Sequence, residues 1–329
     1  MLPLVASAHE VYVLSPDETQ SGISSHPFNM LAVLQADFGQ VAFWGCIALI
    51  VIGGVFLISI MQPVERFFEP YFRRGRKYAP LIARVTVGVS FLAAAYFKAS
   101  FGPELPLEAA YGSLTPVVQG VLALIGTLII FGIYARAAAC VALGLYGFSV
   151  YLHGQYMLTY TNYLGEIIVL LILGAKHAKI KGRGVCSRFA RRLEPYSMAI
   201  LRVCFGVSLL YAALYAKIMH NMLALQVAEL PLGHANNIAS YLHFEPHFLV
   251  LGAAIVEVLI AVFFIVGFEI RFTSLFLEFW LSLSLIYFGE VVWPHLILIG
   301  IPIAFIFYGY DTYSIEGRFF KKGNREPVL

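Results

Sequence analysis

Nine long apolar runs set the limits on what this chain can fold into. They lie at roughly 40–62, 79–99, 116–135, 137–153, 158–175, 197–218, 247–268, 272–291 and 294–310. A helix needs about 20 mostly apolar residues to cross the hydrocarbon of a bilayer. Barrel strands are about 9–11 residues long and alternate in polarity. These runs are too long and too uniformly apolar for that. Composition agrees: the 329 residues are 60% hydrophobic and 12% charged, with a mean hydropathy of +0.80. Soluble domains run about 45–50% apolar and about 25% charged. One soluble core cannot hide such an excess, which excludes an ordinary cytosolic enzyme and a disordered chain. A net charge of only +3, with the basic residues in loops, argues against nucleic-acid binding. The fold expected is all-α, a polytopic membrane helical bundle of about nine transmembrane helices.

Lys and Arg orient it. Of the 22 in the chain, 18 fall on one side when nine spans are threaded alternately. They include Arg66, Arg73, Arg74, Arg76 and Lys77 after the first span, the cluster from Lys176 to Arg192 after the fifth, Arg136, Arg271 and the C-terminal tail. The positive-inside rule makes that side cytoplasmic. The N-terminus is then outside and the C-terminus inside. The opposite loops carry acids instead, Glu104, Glu108, Glu229 and Glu245 among them. The basic segment 176–192 reads as topology signal rather than as a lipid-binding site. Met1–Ala8 ends like the cleavage end of a signal peptide but lacks the charged and apolar regions before it. The reading favoured is a start further upstream. Cys46, Cys140, Cys186 and Cys204 form no CxxC and occupy no outer loop, so neither structural disulfides nor a thiol redox motif is expected. Gly53-Gly54, Gly144 and Gly147 read as points of close helix packing. Trp44 and Trp293 fit an interfacial belt, with Trp280 deeper.

Spans 2–5 resemble spans 6–9. Arg84-Val-Thr-Val-Gly88-Val-Ser90 matches Arg202-Val-Cys-Phe-Gly206-Val-Ser208, and Gly132-Ile-Tyr-Ala-Arg136 matches Gly267-Phe-Glu-Ile-Arg271. Lys98 and Lys217 follow at similar distances from the two leading arginines. Both units begin and end inside, so they read as two parallel four-helix repeats, and repeated membrane folds often place a site at the repeat interface.

This pattern resembles the DoxX family, DoxD-type relatives included. The resemblance rests on Arg202, Gly206, Lys217, Glu257, Gly267 and Arg271 in the second unit. The first unit matches at Arg84, Gly88, Lys98, Gly132 and Arg136, with Leu122 where Glu257 would align and Gln119 one turn earlier. It covers about residues 80–310. It implies a multi-pass protein of the plasma (cytoplasmic or inner) membrane of a bacterium or archaeon, linked to redox chemistry; DoxD-type relatives are subunits of thiosulfate:quinone oxidoreductase. The chain then divides into an outward-facing tail (1–39), a first span and basic linker (40–78), DoxX-like unit one (79–196), DoxX-like unit two (197–310) and a basic cytoplasmic tail (311–329).

Charges inside a membrane are costly and call for partners. Lys217 and Glu257 are the leading ligand or proton-site candidates, with Lys98 and Glu166 as a weaker copy in unit one. A quinone head group needs hydrogen bonds and a proton route, which a Lys and a Glu at the edge of an apolar cavity supply. Arg84, Arg202 and Glu278 read as structural charges, Glu278 pairing with one of the arginines. Tyr96, Tyr111, Tyr211 and Tyr215 are candidate pocket-lining aromatics.

Eight of nine histidines fall on the outer side. His220, His243, His247, His295 and His153 are weaker metal candidates, although Pro246 argues against a regular helix at His243–His247. His9 would become a copper-binding amino terminus if cleavage occurred after Ala8. Three functions compete. The first is a redox-associated, quinone-interacting membrane subunit or anchor for an oxidoreductase partner, and if an enzyme, a subunit of a quinone-linked one. The second is a transporter or permease for a small solute or metal. The third is a membrane scaffold or assembly factor without chemistry of its own.

Overall fold

The computed structural model describes residues 14–36, 38–60, 63–174, 192–229, 245–288 and 291–320. Regular structure among them is helical, apart from one isolated bridge between Ala99 and Pro106. Among the described residues, six helical stretches are long and apolar enough to cross a membrane: Gly39–Phe56, Phe67–Tyr96, Leu107–Phe131, Ala135–Leu173, Glu194–Met219 and Pro246–Val266. Trp293–Tyr308 is apolar but shorter. The architecture is that of a helical, multi-pass membrane protein.

The N-terminal helices are α1 (Pro16–Ser24), α2 (Met30–Ala36), α3 (Phe38–Ile60) and α4 (Pro63–Arg76). The first half of the bundle follows as α5 (Ala79–Tyr96), α6 (Leu107–Tyr111), α7 (Thr115–Phe131), α8 (Ala135–His153) and α9 (Thr161–Leu173). The second half holds α10 (Ser197–Leu214), α11 (Asn221–Ala228), α12 (Pro246–Val266), α13 (Ile270–Phe288) and α14 (Leu296–Tyr308). A 3₁₀ turn at Gly154–Tyr160 joins α8 to α9, so the fourth and fifth apolar runs form one 39-residue helical stretch. Proline opens α12 at Pro246, where a missing N–H costs nothing, and the Glu245 carboxylate caps that end by accepting from Phe248 N at 2.9 Å. Pro246 starts the helix and His247 lies in its first turn, so no helix runs through Pro246 from the His243 side among the described residues, as the sequence reading expects.

The contacts come in matching pairs. α5 packs on α7, and α10 on α12; α8 packs on α9, and α13 on α14. Gly88 lies so close to α7 that a Cβ there would meet Gly126 O at 3.0 Å. Gly206 lies as close to α12, where a Cβ would meet Ala261 O at 2.8 Å. α7 and α12 both end on a left-handed glycine, Gly132 (φ 69°) and Gly267 (φ 72°). A side chain disfavours that backbone conformation, and it lets the next N–H return to the helix. Ile133 N thus donates to Leu128 O, and Phe268 N to Phe263 O, at 2.9 and 3.0 Å. Two further contacts bind the halves together: α9 lies on α10, and α5 on α14. One continuous apolar core runs through both, with Phe91, Phe101 and Tyr163 buried in the first and Phe205, Phe264 and Phe305 in the second.

Outside that core lies α3. Only 6% of its spanning window is buried, and Leu49 and Ile50 are 69% and 71% exposed. An apolar helix bare on nearly all sides is a lipid-facing helix. Gly53, Gly54, Gly144 and Gly147, expected at close helix contacts, meet nothing within 4 Å of an added Cβ among the described residues. Close approaches fall instead at Gly88, Gly126 and Gly206, where α5–α7 and α10–α12 cross, and at Gly165 and Gly300, where α9 meets α10 and α14 meets α5. The N-terminal segment docks on α11: Asn221 Nδ2 donates to Phe28 O at 2.9 Å, and Phe28 N donates to Asn221 Oδ1 at 3.0 Å. Cys46, Cys140 and Cys204 are free thiols; Cys186 lies outside the described residues. So does nearly all of the basic segment 176–192.

Candidate functional site

The site forms where α10 stops being an ordinary α-helix. At Tyr215–Met219 the chain widens to a π turn, and His220 N donates to Tyr215 O at 2.9 Å. A π turn takes in one more residue than the α-helical turn it replaces. It carries Lys217, whose side chain is only 8% exposed. Its Nζ lies 2.9 Å from Glu257 Oε2, on the middle of α12. Trp280 Nε1, on α13, donates to Glu257 Oε1 at 3.4 Å. Tyr211 stacks on Tyr215 at 6.1 Å between ring centres, and Tyr215 packs against His220 at 4.6 Å. Three helices thus converge on one carboxylate–ammonium pair with Trp280 beside it.

The other half holds no copy of this pair. Lys98 is exposed, in a left-handed conformation (φ 53°), and forms no ion pair among the described residues. Leu122 occupies the position aligned with Glu257 and is 2% exposed. Gln119 Nε2, one turn earlier, donates to Ala95 O at 2.9 Å. Glu166 lies on α9, fully buried, and neither of its oxygens has a hydrogen-bond partner among the described residues. An exposed Lys98 and an enclosed Glu166 do not form the joint site expected of them.

The arginines cap helices. Terminal turns leave carbonyls without intrahelical donors and carry partial negative charge, which cations satisfy. Arg136 reaches Leu171 O and Ile172 O at the end of α9, at 3.1 and 2.9 Å. Arg271 does the same at Ile306 O of α14 and also pairs with Glu69 at 2.6 Å. Arg202 donates to Phe264 O and Ile265 O at the end of α12, and Arg84 makes a longer contact of 3.4 Å with Ile130 O of α7. The expected pairing of Glu278 with an arginine is corrected. The carboxylate on Arg202 is Asp311, at 2.8 Å with both side chains under 5% exposed. Asp311 lies just beyond α14 and returns the chain to the arginine end, whereas Glu278 sits within α13 with its Oε1 buried and unbonded among the described residues.

The histidine candidates do not converge. Among the described residues no group of three or more His, Cys, Asp or Glu side chains is placed to hold a metal ion. His247 pairs with Glu245 at 2.5 Å, and the fully buried His295 lies 2.9 Å from Val291 O through Nδ1. His153 ends α8, and His220 packs on Tyr215. His243 and His9 lie outside the described residues. Of the aromatic candidates, Tyr211 and Tyr215 stack on each other, and Tyr215 also packs on Tyr156 at 5.4 Å. Tyr96 is 78% exposed, and Tyr111 packs on Phe148.

A second polar centre was not foreseen from sequence as a site. Tyr156 and Tyr160, on the 3₁₀ turn between α8 and α9, both donate to Glu104 Oε1 in the loop before α6, Tyr156 at 2.8 Å. Loss of solvation pushes the Glu104 carboxyl up to about 7, against the two tyrosine bonds, which lower it. Beside it a small cavity of about 20 Å³ is lined by Tyr156, Tyr160, Asn162 and Ser208 together with apolar side chains of α10 and α14. The signal available was the polar stretch from Gly154 to Asn162 between two apolar runs, dense in Tyr and Thr. No family model, curated protein or solved structure matches this chain.

Proposed function

We propose that this chain is a redox-associated membrane subunit that binds a quinone head group at Lys217 and Glu257 and serves a partner oxidoreductase. The observation that carries the reading is the Lys217–Glu257 pair at 2.9 Å, with side chains 8% and 20% exposed, set at a π turn beside Trp280 and on the same turn as Tyr215. An ammonium donates to a quinone carbonyl, a carboxyl exchanges its proton, and stacked rings accept a flat apolar ring. No residue is an evident electron carrier, so on this reading electrons come from a partner or a bound cofactor. The resemblance to the DoxX family points the same way.

The wider frame is part of the proposal. It comprises nine spans, an outer N-terminus, an inner C-terminus and two parallel four-helix units in the inner membrane of a bacterium or archaeon. The matching contacts at Gly88 and Gly206, Gly132 and Gly267, and Arg136 and Arg271 support the duplication. The gathering of Arg84, Arg136, Arg202 and Arg271 at one end of the bundle supports the orientation.

The test is mass spectrometry of an organic extract from protein purified in mild detergent. Near-stoichiometric quinone in the wild type, lost in Glu257→Ala, is the expected result. Bulk lipid alone from well-folded protein overturns it. One observation favours a second reading, transport of a small solute. Transporter sites use interrupted helices at intramembrane charges, and the π turn interrupts α10 at Lys217. Substrate-dependent uptake into proteoliposomes, abolished by Lys217→Ala, would favour transport over quinone binding.

A further inference from the structure

We propose that the seam between α9 and α10 is a proton path, running from Glu166 through the cavity at Asn162 and Ser208 to Tyr160 and Glu104. It shares no residue with the Lys217–Glu257 pair and stands or falls separately from the quinone reading. Glu166 is the buried end: it is 0% exposed, and both its oxygens lack hydrogen-bond partners among the described residues. Asn162 precedes it by one helical turn on the same face of α9. Helical side chains lean back toward the N-terminus, so the Glu166 carboxyl leans toward the turn that carries Asn162. Asn162 lines the cavity, and so do Ser208, Tyr156 and Tyr160. The cavity volume of about 20 Å³ admits a water, which needs roughly 10–15 Å³ by the same measure and two or more polar neighbours. Tyr160 then donates to Glu104 Oε1. Glu104 Oε2 is enclosed with no partner among the described residues, so Oε1, on which Tyr160 donates, is where the path delivers its proton.

The transfer balances without any electron carrier. The Glu166 carboxyl turns past Asn162 to meet the cavity water; its O–H bond then breaks and the proton goes to that water's oxygen. That water passes one of its own protons to Tyr160 Oη, and Tyr160 passes its original proton to Glu104 Oε1. Glu166 ends as a carboxylate and Glu104 as an acid, while the water and the phenol are regenerated. Rotation of the phenol O–H and of the water resets the chain, and the reverse transfer uses the same atoms. Apolar side chains of Leu209, Ala212, Ile297 and Leu298 line the rest of the cavity.

The test is infrared spectroscopy of the full chain in lipid nanodiscs on transfer to D₂O. The C=O stretch of a protonated Glu166 is assigned by its loss in Glu166→Gln. Glu166→Asp, which moves the band without deleting it, serves should the Gln variant fail to fold. Rapid exchange of that band is expected in the wild type. Tyr160→Phe and Glu104→Gln should each slow it by roughly 10²-fold, the scale of losing a positioned proton donor. Tyr96→Phe should leave the rate unchanged, because Tyr96 is 78% exposed at the end of α5, away from the path. Absence of the band in the wild type, or equal exchange rates in the wild type, Tyr160→Phe and Glu104→Gln, overturns the proposal.

Discussion

Residues 79–173 and 197–308 make several matching helix contacts and differ in what they place among them. Arg84 and Arg202 precede lysines by 14 and 15 residues, Lys98 and Lys217. In the first half the helix ends at Tyr96 and Lys98 turns outward. In the second half the extra residue is taken up by the π turn, and Lys217 turns inward onto Glu257. Position 122 is correspondingly Leu and position 257 Glu. A single residue of chain length thus separates a lysine at the surface from one committed to a buried pair. The carboxylates follow the same division: in the first half the enclosed Glu166 has no hydrogen-bond partner among the described residues, and Glu104 is held by two tyrosines rather than by a lysine.

The largest way to break this comparison is to strip the second half of its carboxylate. Glu257→Leu copies the first half's Leu122 but leaves Lys217 buried and unmatched. Breaking one side of a buried pair costs about 3–5 kcal/mol, so a large fall in thermal midpoint in detergent is expected. The double variant Lys217→Met with Glu257→Leu should recover most of that loss, since an apolar replacement of a buried pair is close to neutral. Equal midpoints for single and double variants would show that the pair is not coupled.

A smaller asymmetry lies at the arginine end. Arg202 holds two carbonyls and Asp311, whereas Arg84 makes one long contact and its Nε has no partner among the described residues. Asp311→Asn removes the charge and keeps the shape, and should cost about 2 kcal/mol, the worth of a charged hydrogen bond. Arg84→Gln should cost less than half of that in the same chemical-denaturation assay. The reverse order would mean that Arg84 carries the greater share.

Glu104 sharpens the comparison through pH. Its folded-state value of about 7 lies above the ordinary 4.5. The folded chain therefore holds this proton more tightly than the unfolded chain does. Its contribution to stability is present in full below the unfolded value and is lost as pH rises through about 7. The wild type should lose about 1–2 kcal/mol between about pH 4 and pH 8 that Glu104→Gln does not lose, the shift being discounted for partial exposure. Parallel pH profiles for the two proteins would remove Glu104 as the source.

Much of this was legible in the sequence because it rests on length and spacing. The apolar runs became helices, the six long stretches among them, because chain segments of that hydropathy have one low-energy form in lipid. The paired Arg-x-x-x-Gly segments marked the crossings at Gly88 and Gly206, where only a residue without a Cβ fits. The Lys217–Glu257 contact followed from depth and reach. Illegible were the contacts made by segments that leave and return. Asp311 reaches Arg202 from beyond the last apolar run, and Tyr156 and Tyr160 reach Glu104 across more than fifty residues of chain. Gly144 and Gly147 misled for a related reason. Glycine spacing marks where two helices can approach, and tertiary packing decides whether a partner is there; none is.

The smallest effect is the most discriminating about Lys98. It occupies the place of Lys217 in the alignment, yet it is exposed and forms no ion pair among the described residues. Surface substitutions away from buried features change stability by about 0.5 kcal/mol or less. Lys98→Ala should therefore leave the thermal midpoint nearly unchanged, while Lys217→Ala, which strands Glu257 beside Trp280, lowers it clearly. Any quinone in the organic extract should likewise survive Lys98→Ala and be lost with Lys217→Ala. Equal losses from the two substitutions would mean that the first half also builds a site around its lysine, and that the extra residue in the π turn does not separate the halves.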